Sequence, residues 1–147
     1  MMITPSYADT PTLSLLRALA EANQDISRRD ERHSAELKLA ASEFDVIATL
    51  GNTTGMRMCD LAAHTLNTKS NITRVVKELV RRGLVERRRN PESEREVLVC
   101  LTRQGEDLFA ETYPQKYKFL QALFDSRLTA DEQRELTRLL QLLCGKS

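Results

Sequence analysis

The chain has 147 residues, of which 41% are hydrophobic, 29% charged and 5% aromatic, and its net charge is +1. That length suits one domain. The absence of Trp and the scarcity of aromatics weigh against a large aromatic-lined cofactor pocket, and no stretch approaches the roughly 20 apolar residues of a membrane helix.

Three cysteines, Cys59, Cys100 and Cys144, are odd in number and too widely spaced for a disulfide framework or a CxxC metal site. Met1 to Ser14 holds neither a basic n-region nor an apolar h-region. Both features point to a reducing cytoplasm and no membrane partner.

Residues 1–11, with two prolines, read as a flexible arm, and residues 12–147 as a single domain. A helical pattern starts near Thr12, where Leu15, Leu19, Ala22 and Ile26 share one face of a helix reaching about His33. Ser42 with Asp45 reads as an N-cap for a short second helix that buries Phe44, Ile47 and Leu50 and stops at Gly51 to Gly55. Met56 to Met58 can pair as a short strand. Asp60 to Leu66 reads as a short helix with Leu61, Ala62 and either Thr65 or Leu66 turned inward, and Asn67-Thr68 as a turn whose threonine caps the next helix. In that helix Ile72, Val75, Val76, Leu79 and Val80 form the cleanest amphipathic stripe of the chain. Gly83 ends it, at a position where positive φ costs least.

Leu84 to Arg89 and Arg95 to Leu101 read as two strands joined through Asn90 to Glu94, the second apolar on both faces. Thr102 can cap a long helix to about Ser126, with Leu108, Phe109, Phe119, Leu120 and Leu123 as buried candidates and a kink expected at Pro114. Thr129 and Glu132 spell a capping box ahead of a last helix striped by Leu136, Leu139, Leu140 and Leu143. The fold class expected is mainly α with a small β-hairpin wing: a winged helix-turn-helix over about residues 42–101, flanked by helices over about 12–33 and 102–144.

Charge is unevenly spread. Lys69 through Arg103 holds ten basic residues against five acids, so the rest of the chain is net acidic. A basic face on an acidic scaffold suits a phosphate binder. The polar side of the striped helix carries Ser70, Asn71, Thr73, Arg74, Lys77 and Arg81, with Lys69 at its start. Ser and Thr reach phosphates, Asn pairs with adenine and Arg with guanine, so this split suits a helix anchored on one side and seated in a major groove on the other. Arg87-Arg88-Arg89 alternates faces along a strand, with at least one member turned to protein and Arg89 assigned to DNA. Arg95, beside the hairpin turn, is placed to enter a minor groove. The alternative for Arg95 is an ordinary hairpin arginine paired with Glu92 or Glu94.

At these residues the sequence resembles the MarR family of regulators. The matching run is Ser70-Asn71-Ile72-Thr73-Arg74-Val75-Val76 with Leu79, then Arg82-Gly83-Leu84-Val85-Glu86-Arg87, then Arg95, Val97, Val99, Leu101-Thr102 and Gly105. The resemblance extends from about Leu13 to Leu143. It implies a homodimer built from the first and the last two helices, with Leu15, Leu19, Leu120, Leu136, Leu139, Leu140 and Leu143 at the interface. It also implies a near-palindromic double-stranded operator and, as in many members, a small aromatic or phenolic effector that lowers DNA affinity. The chain departs from the family pattern at Ser93, where an acid usually holds the wing arginine in place.

Other reactive side chains have plainer readings. Cys59, at a helix start, invites a reactive thiol, but a buried structural cysteine is the expectation; Cys100 reads as core, and Cys144 as exposed or at the dimer interface. His33 and His64 lack partners at metal-ligand spacing, and no phosphate loop or nucleophile elbow is present. The expected function is therefore a cytoplasmic, sequence-specific transcription regulator without cofactor, metal or enzyme activity, acting as a homodimeric repressor released by an effector. Rival readings are a redox-gated regulator or activator of the same fold, or a winged-helix protein-interaction module.

Overall fold

The computed structural model describes residues 10–66 and 69–146, Lys69 by its backbone alone. Most of the expected arm and the Asn67-Thr68 turn lie outside the described residues. The chain divides into two compact units, the first ending at Ala41 and the second beginning at Ser42.

Among the described residues the first unit is essentially one helix, α1 (Pro11–Glu36). Thr10 caps it by accepting the Leu13 amide at 3.3 Å. Pro11 occupies the first turn, where its missing N–H costs nothing. The helix runs a turn further than the hydrophobic periodicity suggests, because Ser34 and Ala35 continue it with small side chains that carry no periodic signal. Leu15 and Leu16 stand exposed on α1, and Leu19 is half-buried.

The second unit contains α2 (Ala41–Leu50, entered from the last residue of the first unit), β1 (Met56–Arg57), α3 (Met58–His64), α4 (Lys69–Arg81), β2 (Val85–Asn90), β3 (Ser93–Leu101), α5 (Arg103–Asp125) and α6 (Ala130–Leu143). β3 is the middle strand of a three-stranded antiparallel sheet in the order β1-β3-β2. Phe44, Val46, Ile47 and Leu50 of α2, Leu61 of α3, Ile72, Val75, Val76 and Leu79 of α4 and Val85, Val99 and Leu101 of the sheet are all buried. This is the fold class expected, a mainly helical chain with a small β wing.

Several local readings change. Ser42 is not an N-cap, because α2 already begins at Ala41. The Asp45 carboxylate instead accepts the Leu66 amide at 2.8 Å and so braces the turn between α3 and α4 from outside. α3 starts two residues earlier than its periodicity suggests, at Met58. Thr65 is its inward residue, while Leu66 is 97% exposed. β3 begins at Ser93, which shortens the hairpin loop to Pro91-Glu92. α5 extends through Pro114, the site of the expected kink. Side chains bond the carbonyls around the missing amide, Gln115 Nε2 donating to Glu111 at 3.0 Å and Thr112 Oγ1 to Leu108 at 2.7 Å. The expected caps at Thr102 and Thr129 form, the latter as a complete capping box with Glu132.

Three elements meet at one backbone junction. α4 closes with Gly83 at φ +74°, the Leu84 amide reaching back to the Leu79 carbonyl and the Gly83 amide to Val80, both at 3.0 Å. Thr102 then ties the hairpin's two ends together. Its amide donates to the Leu84 carbonyl at 3.1 Å, and its hydroxyl donates to the Gly83 carbonyl at 2.7 Å while accepting the Gly105 amide at 3.1 Å. Gly105 lies so close that a Cβ there would sit 2.0 Å from the Leu84 carbonyl oxygen. That neighbour is backbone and cannot swing aside. Gly105→Ala is therefore expected to destabilise the fold by about 2–3 kcal/mol, read as a lower denaturation midpoint at unchanged slope. An unaltered midpoint would show that the junction yields freely.

Candidate nucleic-acid interface

The hydrophobic stripe of α4 fixes which of its faces is free. Ile72, Val75, Val76 and Leu79 are at most 1% exposed and Val80 is half-buried, so the opposite side must face outward. Ser70, Thr73, Arg74, Lys77 and Arg81 are exposed there, and Asn71 is half-buried. Lys69 opens the helix, but its side chain lies outside the described residues. One helix thus gathers the candidates with described side chains between Ser70 and Arg81.

Their electrostatic states differ. Arg74 Nη2 donates to Asn71 Oδ1 at 2.6 Å, which pre-orients both side chains on one face. Arg81 is engaged by Glu78 at 2.5 Å. The hydrogen bond from Arg81 holds the Glu78 carboxyl below the usual carboxylate range, and part of the cationic charge is thereby already compensated. Lys77 has no ion-pair partner among the described residues.

On the hairpin, Arg87, Arg88 and Arg89 are all exposed, and the one expected to engage protein does so through an acid. Arg88 is satisfied by protein, because it pairs with Glu86 two residues earlier on the same side of the strand. Arg89 and Arg95 are exposed and, among the described residues, paired with no acid. The anticipated alternative of Arg95 held by Glu92 or Glu94 is thus not realised.

Arg82, counted above within the basic run, belongs to the scaffold. Its guanidinium meets Glu43 at 2.9 Å, with only 30% and 14% of the two side chains exposed, and joins the end of α4 to the start of α2. Sequence reading also missed Glu96, an acid within a basic strand whose carboxylate is hydrogen-bonded to Arg57 and Asn90.

Cys59 is exposed rather than buried. It lies two positions from the inward Leu61, which at 100° per residue places it on the opposite side of α3. Cys100 is core as expected, its thiol donating to the Thr54 carbonyl at 3.5 Å and pushed above its ordinary pKa by burial. Cys144 is exposed. Among the described residues no group of three or more His, Cys, Asp or Glu side chains is arranged to hold a metal ion, and no helix is long and apolar enough to cross a membrane.

None of the residues assigned to an interface between copies is buried. No residue of α6 is buried, and Leu136, Leu139, Leu140 and Leu143 are 38–59% exposed. Leu15 is exposed on α1, whereas Leu19 and Leu120 are half-buried.

A buried-stripe helix with a polar outer face, followed by a two-stranded wing bearing unpaired arginines, defines a winged helix-turn-helix protein. Residues 39–97 match the model of the MarR family. The chain is 29% identical over 129 residues to the HTH-type transcriptional regulator YkoM of Bacillus subtilis (strain 168), covering 88% of this chain and 83% of that one. Over 136 residues it is 26% identical to the homoprotocatechuate degradative operon repressor of Escherichia coli, covering 90% and 86%. Its structure is similar to that of a MarR mutant from E. coli complexed with operator DNA, with a TM-score of 0.79, 26% identity and coverage of 95% and 99%.

The two kinds of arginine should separate on mutation. Arg82→Ala is expected to cost about 1 kcal/mol of stability, since it removes a half-buried ion pair between α4 and α2. Lys77→Ala and Arg95→Ala should stay within about 0.5 kcal/mol of the parent. Denaturant titration of the three variants checks this, and equal losses in all three would erase the distinction between scaffold and surface cations.

Proposed function

We propose that the chain is a sequence-specific regulator of transcription that binds double-stranded DNA as a homodimer, most simply as a repressor, in the cytoplasm. The observation that carries this reading is the set of exposed cations, Lys77, Arg89 and Arg95, left without acid partners among the described residues on α4 and the wing. An unpaired cation on a protein surface gains little from the fold itself. Three of them on the two elements that a winged helix presents to DNA find their counter-charge in phosphates and groove edges. Asn71 and Arg74, beside Lys77 on the same helix, supply base-reading chemistry. The operator-bound E. coli structure and the operon repressor among the relatives support the same reading.

The homodimer rests on the exposed leucines of α6 together with Leu15 of α1. A stripe of this kind is costly to leave in water and suits a self-complementary interface. Two copies whose reading helices are separated by about 34–36 Å would meet successive major grooves of a near-palindromic site. The effector we propose is a small aromatic or phenolic compound, in line with the aromatic catabolism named for the E. coli repressor. It needs only about 1–3 kcal/mol of coupling to release the operator.

Fluorescence anisotropy with the duplex upstream of the protein's own gene, a scrambled duplex and varied salt tests the core of the proposal. The native duplex should be preferred at near-physiological salt. Arg74→Ala should lose about 1–3 kcal/mol of affinity together with sequence preference, whereas Lys77→Ala should weaken both duplexes alike and reduce the salt slope by about 1. Equal, salt-labile binding of the parent protein to both duplexes would sink the sequence-specific reading.

The dimer is checked separately. Leu139→Glu should shift sedimentation from dimer to monomer and lower operator affinity by roughly a hundredfold through loss of two-site engagement. A DNA-competent monomer would overturn the interface.

A further inference from the structure

The pairing of the wing hairpin is irregular at its tip. Arg89 lies opposite Val97, but the next residue of β2, Asn90, lies opposite Ser93. Glu94, Arg95 and Glu96 therefore have no counterparts on the facing strand. Such an excess forfeits ladder hydrogen bonds and bends the strand, so its conformation must be set by something other than the sheet. Ser93 offers no carboxylate to do it.

Glu96 does offer one. Its Oε2 accepts from Asn90 Nδ2 at 2.9 Å, and its Oε1 accepts from Arg57 Nη1 at 3.3 Å. Asn90 in turn accepts the Glu92 amide at 3.0 Å through Oδ1 and so shapes the hairpin turn. At the other end, Arg57 donates to the Asp60 carboxylate through Nε at 3.0 Å and Nη2 at 3.4 Å. A continuous chain of polar contacts thus runs from the first turn of α3, across the sheet edge, to the tip of the wing. The bulge that carries Arg95 is tied to this chain through Glu96. Hydrogen bonding to Arg57 also holds the Asp60 carboxyl below its usual range, so the anchor remains ionised at neutral pH.

We propose that Glu96 is a positioning residue, and that its carboxylate, clipped between Arg57 and Asn90, holds the wing bulge in the pose that presents Arg95 to DNA. This rests on the DNA-binding reading above. The sign of the effect distinguishes it from plain electrostatics. An acid near a phosphate surface repels it, so charge alone makes removal of Glu96 tighten binding. Positioning makes the same removal weaken it, because the freed Arg95 must be ordered again at each encounter.

The test combines a DNA-free arm with a DNA arm. In the free protein, hydrogen exchange of peptides covering residues 90–97 should speed up several-fold in Glu96→Ala and in Arg57→Ala, with α5 peptides unchanged as proof of folding. Glu96→Gln, which keeps one acceptor oxygen and so one of the two contacts, should recover part of the protection. In anisotropy, Glu96→Ala should bind the preferred duplex about fivefold more weakly, and should add no further loss in an Arg95→Ala background. Unchanged wing exchange in both alanine variants would overturn the clip whatever the DNA result. Tighter binding, or an equal loss with and without Arg95, would overturn its link to Arg95. Faster wing exchange in a protein whose parent form prefers no duplex would uphold the clip and refute the DNA reading instead.

Discussion

The fold depends on a meeting of backbones at Gly83, Leu84, Thr102 and Gly105. Here α4 ends, the hairpin begins and ends, and α5 starts, all within hydrogen-bond reach of one threonine. The contact is possible because two of the four residues lack a Cβ, one to turn the chain at positive φ and the other to let a carbonyl approach to where a side chain would be. Each hydrogen bond is worth only about 1 kcal/mol. Their geometric effect is larger than their energy, since together they leave the helix and the wing little freedom to move independently at their base.

On that base the molecule separates cations by role. Arg82 is spent on holding α4 against α2, Arg81 and Arg88 are matched by nearby acids, and Lys77, Arg89 and Arg95 are paired with no acid among the described residues. Net charge alone could not reveal this, because acids and bases nearly cancel over the whole chain. Burial of the α4 stripe turns a sequence neighbourhood into a surface, and ion pairing then selects which members of that surface keep their charge available.

Much of this was legible in advance, and most of the exceptions share a cause. The α4 stripe, the Gly83 terminus and the caps at Thr102 and Thr129 were readable because each rests on residues a few positions apart. What sequence reading missed lies across the chain. Asp45 looks like part of a local cap and instead serves Leu66 in another element. Glu96 looks like an interruption of a basic strand until Arg57, 39 residues away, is brought beside it. Arg82 reads as one more basic residue until Glu43 is placed opposite it. Cys59 fell on the wrong side because a helix this short has too few apolar residues to fix its phase. The bulge between Arg89 and Asn90 was hidden because alternation in β3 simply stops being informative where pairing lapses.

The hairpin is anchored at one end and irregular at the other, and this divides its tolerance of change in length. From Val85 opposite Leu101 to Arg89 opposite Val97 the ladder is unbroken, so successive side chains point to opposite sides of the sheet. One residue gained or lost inside that run would exchange the faces, turning Val85 outward and a charged neighbour inward. Beyond Arg89 the two strands are already out of step by three positions, so the tip has no register left to violate. Within a lineage carrying this architecture, insertions and deletions should therefore gather beyond Arg89. The wing's reach along a duplex can then drift through evolution while the stem beneath it keeps its length.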